Sequence, residues 1–100
     1  MLTKEFIIKQ LESHKKQLKQ FGVKRVALFG SYAQDSSTED SDIDFLVEFR
    51  KGRGLFKDYS NLTNFLEDTF QKKIDIVKPH LVRKELRSSI LEGERIEAEI

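Results

Sequence analysis

Two aspartates, Asp42 and Asp44, lie one residue apart at the start of the apolar run Ile43 to Phe49. This run is rich in β-branched and aromatic residues and predicts a strand over 43–49. Alternate residues of a strand point to the same face, so both carboxylates are expected to project together, away from the core. Two carboxylates this close repel each other unless a cation lies between them. The pair therefore predicts a site for a hard cation with oxygen ligands, Mg²⁺ or Mn²⁺.

A third acid, Asp75, is the lone charged residue among the apolar residues Ile74 to Val77. A charge on such a strand is costly without a partner, although a charge on an edge strand also protects against aggregation. If this strand pairs beside 43–49, Asp75 completes a cluster of three carboxylates. Such a cluster can hold two metal ions, which would stabilise the attacking and leaving oxygens of an in-line phosphoryl transfer.

Gly30 and Ser31 follow another apolar run, Val23 to Phe29, which predicts a second strand. Glycine at the end of a strand lets the backbone approach a ligand closely. The next residues are expected to open a short helix, whose free N–H groups would attract an anion. The hydroxyl of Ser31 would add a donor, and capping the helix would use the same geometry. The sequence thus predicts a phosphate-binding seat at Gly30 and Ser31.

The remaining periodicity predicts helices and strands that alternate along the chain. Predicted helices cover 3–20, 55–71 and 80–92; predicted strands cover 23–29, 43–49 and 73–78, and the tail ERIEAEI is a candidate edge strand. This order predicts an α/β (α+β) fold, a small mixed sheet with flanking helices.

The composition describes one small domain, residues 1–100, with 18 basic and 17 acidic residues and a net charge of +1. That balance gives no reason to expect direct nucleic-acid binding. Cysteine is absent, and no apolar stretch approaches the roughly 20 residues that span a bilayer. We expect a soluble cytoplasmic protein without a membrane segment.

Two motifs together resemble the signature of the DNA-polymerase-β-like nucleotidyltransferase superfamily. They are Gly30-Ser31-Tyr32-Ala33 and Ser41-Asp42-Ile43-Asp44, with ten residues between Ser31 and Asp42. More narrowly, nearly the whole chain resembles the minimal nucleotidyltransferase (MNT) group, short proteins typically encoded beside a HEPN-domain protein as the antitoxin of a toxin–antitoxin pair. The resemblance matches Gly30 and Ser31 to phosphate-binding positions, Asp42 and Asp44 to the paired metal ligands, and Asp75 to the third carboxylate.

This resemblance implies a palm-like domain that uses Mg²⁺, with two ions expected, and ATP as the nucleotide donor. It also implies that AMP is transferred to a hydroxyl, a tyrosine in known cases, on a cognate HEPN toxin. The transfer would silence the ribonuclease activity of the toxin. We therefore expect a hetero-oligomer with that toxin.

One departure from the family keeps alternatives open. Many relatives carry Arg-Gly after Gly-Ser-Tyr-Ala, whereas this chain has Gln34-Asp35. The missing positive charge is expected either to weaken triphosphate binding or to change the choice of nucleotide. A non-catalytic antitoxin that neutralises its partner by binding alone is one alternative. Transfer to a small molecule is another, although the similar antibiotic nucleotidyltransferases usually have an extra helical domain.

Other polar residues have two interpretations each. His14 lies on the apolar stripe of the first predicted helix, where partial burial is expected rather than catalysis. Tyr32 either packs under the phosphate seat or lies near the nucleotide, and Tyr59 is expected in the core. Two basic sets could reach a phosphate or simply face solvent. They are Arg50, Lys51 and Arg53 in a loop, and His80, Arg83, Lys84 and Arg87 on the third predicted helix.

Overall fold

A mixed sheet of four strands organises the residues that this computed structural model describes, 2–78 and 95–100. The strands are β1 (Val23–Phe29), β2 (Ile43–Phe49), β3 (Ile74–Val77) and β4 (Ile96–Ala98), in the spatial order β3-β2-β1-β4. Strand β2 pairs antiparallel with β1 and parallel with β3, while β4 pairs antiparallel with β1. The predicted α+β fold with a small mixed sheet is confirmed, including the edge strand at the tail.

Three helices are described: α1 (Lys4–Ser13), α2 (Lys15–Gln20) and α3 (Phe56–Phe70). The predicted single helix over 3–20 begins as expected, because Thr3 caps it by accepting a hydrogen bond from the Phe6 N–H at 3.1 Å. It is nevertheless broken at His14, whose Nδ1 lies 2.8 Å from the carbonyl oxygen of Gln10 and whose ring packs edge-on against Phe65. His14 is half-buried, as expected.

All three described helices pack against one face of the sheet and cover the main core, while Ala27 and Leu46 are buried on the other face. The buried residues of the main core are Ile7, Leu11, Leu18, Val23, Val26, Leu28, Tyr32, Ala33, Ile43, Phe45, Val47, Leu62, Leu66, Phe70, Ile74, Ile76 and Ala98. Every second residue of β2 and β3 therefore points to the opposite face. That face carries Asp44 and Asp75, and we call it the acid face.

Two predictions from periodicity have different outcomes. The helix predicted for 80–92, with its basic face, lies outside the described residues. Leu55 was expected on the apolar stripe of α3, but it precedes the helix as its N-cap and is 73% exposed. Tyr59 is half-buried against the core, with its hydroxyl 3.5 Å from the carbonyl oxygen of Ile76. Within the described residues, no helix is long and apolar enough to cross a membrane.

The basic loop between β2 and α3 is held against the rest of the protein by hydrogen bonds from its arginines. Arg50 Nη2 donates to the carbonyl oxygen of Lys19 at 2.8 Å, and Arg53 Nη2 donates to that of Gln20 at 2.8 Å. Both arginines thus satisfy carbonyls at the end of α2, which a helix leaves without partners. These hydrogen bonds explain the positions of Arg50 and Arg53 without any contact with solvent or with a nucleotide.

The same loop is joined to α3 by Asp58. Arg53 binds both oxygens of this carboxylate, at 2.8 and 2.9 Å, and the Gly54 N–H donates to it at 3.0 Å. These donors hold the pKa of Asp58 well below its usual range, with the Arg53 hydrogen bond the largest cause. Asp58 therefore ties the loop to the first turn of α3, which has no side-chain cap at Leu55.

We expect Asp58→Ala to lower the melting temperature, because it leaves Arg53 and the Gly54 N–H without their acceptor. Thermal unfolding followed by circular dichroism measures this. Asp68→Ala is the control, since Asp68 is an exposed acid on the same helix. Equal melting temperatures for the two variants would show that the Asp58 contacts do not stabilise the corner.

Candidate active site

Asp44 and Asp75 are brought together by the parallel pairing of β2 with β3. The two residues are register partners, and neighbouring strands lie about 5 Å apart, so their side chains leave the same face side by side. Asp44 is half-buried on a central strand, whereas Asp75 is exposed on the edge strand. The structure thus supplies the pairing that the sequence prediction assumed for Asp75.

Asp42 lies on the loop just before β2 and is exposed. The loop is held by Ser41, whose hydroxyl accepts from the Thr38 N–H at 2.8 Å and whose N–H donates to the Thr38 carbonyl at 3.1 Å. The N–H of Ile43 then donates to the carbonyl oxygen of Lys73 at 3.0 Å, which fixes the start of β2 beside β3. Asp42 is therefore kept close to the other two acids.

The charges of this cluster act on Asp44. Burial is the largest cause, followed by the negative charges of Asp75 and Asp42, and together they raise the pKa of Asp44 from 3.8 to about 6. Both causes disfavour the ionised form, and a bound cation would relieve both. Asp44 therefore has the electrostatic surroundings of a carboxylate that binds a cation.

The donor set suits Mg²⁺ on one condition. Within residues 2–78 and 95–100, no three acidic or imidazole groups converge closely enough to hold a metal ion by themselves. Mg²⁺ is usually bound by one or two carboxylates and completes its shell with water and substrate phosphates. Asp42, Asp44 and Asp75 therefore fit an ion that they share with a triphosphate, rather than one enclosed by the protein alone.

Gly30 lies directly against the carboxylate of Asp44. A Cβ atom placed on Gly30 would lie 2.3 Å from Asp44 Oδ2, and the residue has a φ of +75°, which side chains rarely adopt. Glycine is therefore required here for two reasons. The arrangement brings the backbone of the predicted phosphate seat into contact with the central acid of the cluster.

After Gly30 the chain makes a turn, not the short helix that was expected. The Gln34 N–H donates to the Gly30 carbonyl at 3.1 Å, and the Ser36 N–H donates to the Ser31 carbonyl at 2.9 Å. Within the described part of the chain, the hydrogen bonds include none from the N–H groups of Ser31, Tyr32 and Ala33. These groups can bind an anion without the dipole of a helix. Tyr32 is buried beneath the turn, so it packs under the seat.

The family departure at Gln34-Asp35 has a structural counterpart. Asp35 has a φ of +58°, a conformation that glycine adopts most easily, and its carboxylate binds Lys4 Nζ at 2.9 Å. The Lys4 bond ties the turn to the first turn of α1. Asp35 thus stands where the usual Arg-Gly pair has its glycine. It adopts a backbone conformation that suits glycine, and it brings a negative charge to the turn.

Phe29 is a neighbour of the cluster that the sequence did not reveal. It is the register partner of Asp44 on β1 and lies on the acid face. Simple alternation from the buried Val23 would place Phe29 in the core. A register shift between Val23 and Arg25 reverses the alternation, because a bulge adds one residue to one strand.

Comparison with known proteins agrees with this geometry. Residues 9–98 match the nucleotidyltransferase domain family. The chain belongs to this family. It is therefore a nucleotidyltransferase, as the motifs predicted. A relative in Thermococcus cleftensis, named protein adenylyltransferase MntA, is 36% identical over 92 residues, which cover 91% of this chain and 92% of the relative.

Solved structures of nucleotidyltransferases share the fold. A candidate minimal nucleotidyltransferase superposes with a TM-score of 0.78 at 30% identity, covering 99% of this chain and 97% of that one. A toxin–antitoxin crystal structure with AMP-PNP superposes with a TM-score of 0.65 at 20% identity, covering 86% of this chain and 70% of that one. This chain therefore has the fold of a minimal nucleotidyltransferase.

We expect Gly30→Ala to reduce nucleotidyl transfer at least about 100-fold, because the new Cβ displaces the Asp44 carboxylate. Gly52→Ala is a matched control, since Gly52 has a φ of +79° but no atom within 4 Å of an added Cβ. Both variants carry the strain of about 1 kcal/mol for a left-handed alanine. Pyrophosphate release measures activity, and equal losses in the two variants would refute a specific role for Gly30.

We also expect Asp44→Asn to stabilise the metal-free protein above pH 6. Asp44 loses its proton near pH 6 in the folded protein but near 3.8 when unperturbed, so between these values the folded state binds more protons and stability falls as pH rises. Allowing for solvent screening, the gain on removing the charge is on the order of 1 kcal/mol. It should vanish by about pH 4.

Urea unfolding in EDTA from pH 4 to 8 measures the effect of Asp44→Asn. Asp40→Asn, an exposed acid in the preceding loop, is the matched control. A variant that is no more stable than the wild type at pH 7 would show that the charge of Asp44 does not destabilise the folded protein.

Proposed function

We propose that this nucleotidyltransferase transfers AMP from ATP to a hydroxyl, that of a tyrosine, on a cognate HEPN-domain toxin and so acts as its antitoxin. The observation that carries the proposal is the contact of the Gly30 backbone with Asp44, beside Asp75. A phosphate seat and a cation site then share one end of the sheet. This is the arrangement that nucleotidyl transfer needs.

In the proposed reaction the acceptor oxygen attacks the α-phosphorus of ATP. A new P–O bond forms to the acceptor, the bond to the bridging oxygen breaks, and pyrophosphate leaves. Mg²⁺, when bound, neutralises the developing charge on the phosphates. Asp42, Asp44 and Asp75 would hold the metal ions together with oxygens of the triphosphate, and one of these carboxylates would accept the acceptor proton.

Gly30 and Ser31 hold the outgoing phosphates in this proposal. The N–H groups of Ser31 and the two residues after it point to no partner among the described residues, and the Ser31 hydroxyl adds a donor. Fixed donors of this kind stabilise negative charge without reorganising during the reaction. Residues 1–100 would act as one domain in the cytoplasm.

The acceptor assignment draws support from relatives. One relative is named a protein adenylyltransferase, and one protein of the same fold was solved as a toxin–antitoxin with AMP-PNP. In the described residues the acid face has no second domain over it to form a pocket for a small acceptor. A protein would therefore supply its own hydroxyl and part of the site.

A binding-only antitoxin is the second candidate, and Asp35 favours it. Its carboxylate binds Lys4 and places a negative charge on the turn where phosphates would bind. Because Lys4 is paired with Asp35, this ion pair adds no net positive charge to attract a triphosphate. Three neighbouring carboxylates, in contrast, have no use in a protein that only binds.

The deciding experiment incubates this chain with the HEPN-domain protein encoded beside it, Mg²⁺ and each nucleoside triphosphate in turn. We expect the partner to gain the mass of one or more AMP groups with ATP, measured by intact mass spectrometry. The gain should disappear in the Asp42→Asn/Asp44→Asn variant, which lacks two cation ligands. A stable complex without any mass gain would instead support the binding-only antitoxin.

A further inference from the structure

Two adjacent apolar side chains stand out on the surface at the start of α3. Leu55 is 73% exposed and Phe56 is 85% exposed. They border a cleft of about 480 Å³ that is lined by Gly54, Leu55, Phe56, Tyr59, Ile76 and Lys78. Leu55, Phe56 and this cleft are called the apolar corner below. Exposed apolar surface beside a concave site is typical of a place where a partner binds.

The backbone of the apolar corner is held by hydrogen bonds. The Gly54 N–H donates to Asp58 at 3.0 Å, and Lys78 Nζ donates to the Gly54 carbonyl at 2.5 Å. The Tyr59 N–H donates to the Leu55 carbonyl at 3.0 Å. The ammonium of Lys78 also lies 5.5 Å from the centre of the Tyr59 ring. A surface held in this way loses little entropy when a partner binds.

Basic residues surround the apolar corner. Residues 50–58 contain four basic residues, Arg50, Lys51, Arg53 and Lys57, and a single acid, Asp58. Asp58 is already bound to Arg53, and Lys78 adds a further positive charge at the cleft. The rim is therefore positive, which suits an acidic partner and disfavours a second copy of this chain placed symmetrically on the same surface.

The position of the apolar corner connects it to the acids. Ile76 of the cleft directly follows Asp75 on β3, the edge strand of the described sheet. Successive residues of a strand point to opposite faces, about 3.3 Å apart along the chain. A protein seated on the helix side of this edge thus needs to extend only around one strand to reach Asp75 on the acid face.

We propose that the apolar corner is the docking surface for the protein acceptor, which presents an apolar anchor surrounded by acidic residues. Leu55 and Phe56 supply the anchor contacts, and Lys57 with the basic loop attracts the acidic rim. Docking at this edge would direct an acceptor hydroxyl around β3 toward Asp75. The proposal rests on the proposed function for the identity of the acceptor.

The test measures binding separately from catalysis. The probe is the HEPN-domain protein encoded beside this chain, titrated by calorimetry into the Asp42→Asn/Asp44→Asn variant, which cannot transfer AMP in the proposed mechanism. In this background we expect Phe56→Ser to raise the Kd at least about tenfold, since buried aromatic anchors carry much of the energy of an interface. Lys57→Glu should raise the Kd as well, and more strongly at low salt.

The matched controls change the same residue types elsewhere. Phe6 is 46% exposed on α1, and Lys9 is exposed on the same helix, so Phe6→Ser and Lys9→Glu should leave the Kd unchanged. Equal effects of Phe6→Ser and Phe56→Ser would overturn the proposal. Absence of any complex, or a dimer of this chain that Phe56→Ser dissociates, would overturn it too.

Failure of the docking proposal differs from failure of the proposed function. A complex that needs Phe56, together with no mass gain from the wild-type chain, supports docking and refutes AMP transfer. A mass gain that Phe56→Ser leaves at the wild-type rate supports AMP transfer and overturns docking at the apolar corner.

Discussion

The burial of one face of β2 beneath the helices is the constraint on which the rest of the structure depends. Ile43, Phe45 and Val47 are fully buried beneath the helices, and the two-residue repeat of a strand then leaves Asp44 on the opposite face. A slip of one residue in register would bury the carboxylate and expose three core side chains. The hydrophobic core therefore fixes the orientation of Asp44 more firmly than any contact of Asp44 itself does.

This constraint has an electrostatic cost, which is concentrated at Asp44. The core places Asp44 beside Asp75 and near Asp42, and their repulsion together with burial raises the pKa of Asp44 to about 6. In a purely structural sheet such a cluster only destabilises the folded state. The fold tolerates it because burial of apolar side chains on the other face outweighs it. A cation shared with phosphates would turn the same repulsion into affinity, and Gly30, which has no Cβ, leaves room for the Asp44 carboxylate.

Much of this was predictable from sequence, because it follows from local periodicity. The strands at 23–29 and 43–49 and the helix near 56–70 have strong apolar repeats. What could not be predicted depends on contacts between distant residues. The break at His14 follows from its packing against Phe65. The face of Phe29 follows from a register shift in β1. The residues after Gly30 were predicted to open a short helix, but the φ of +58° at Asp35 and its bond to Lys4 are not visible in the sequence.

The exposure of Asp42 and Asp75 on the acid face is the physical reason why the proposed mechanism calls for a second protein. The described helices all cover the other face, so water reaches Asp42 and Asp75, and charge interactions with a triphosphate are screened there. In the proposed mechanism, a docked acceptor protein would exclude that water and strengthen the same interactions, and it would bring its hydroxyl into place. Exposure of the apolar side chains of Leu55 and Phe56 is unfavourable in an isolated chain. The same side chains would contribute binding energy when a partner protein covers them. In this view the acids and the apolar corner are two parts of one site, divided by the edge strand β3.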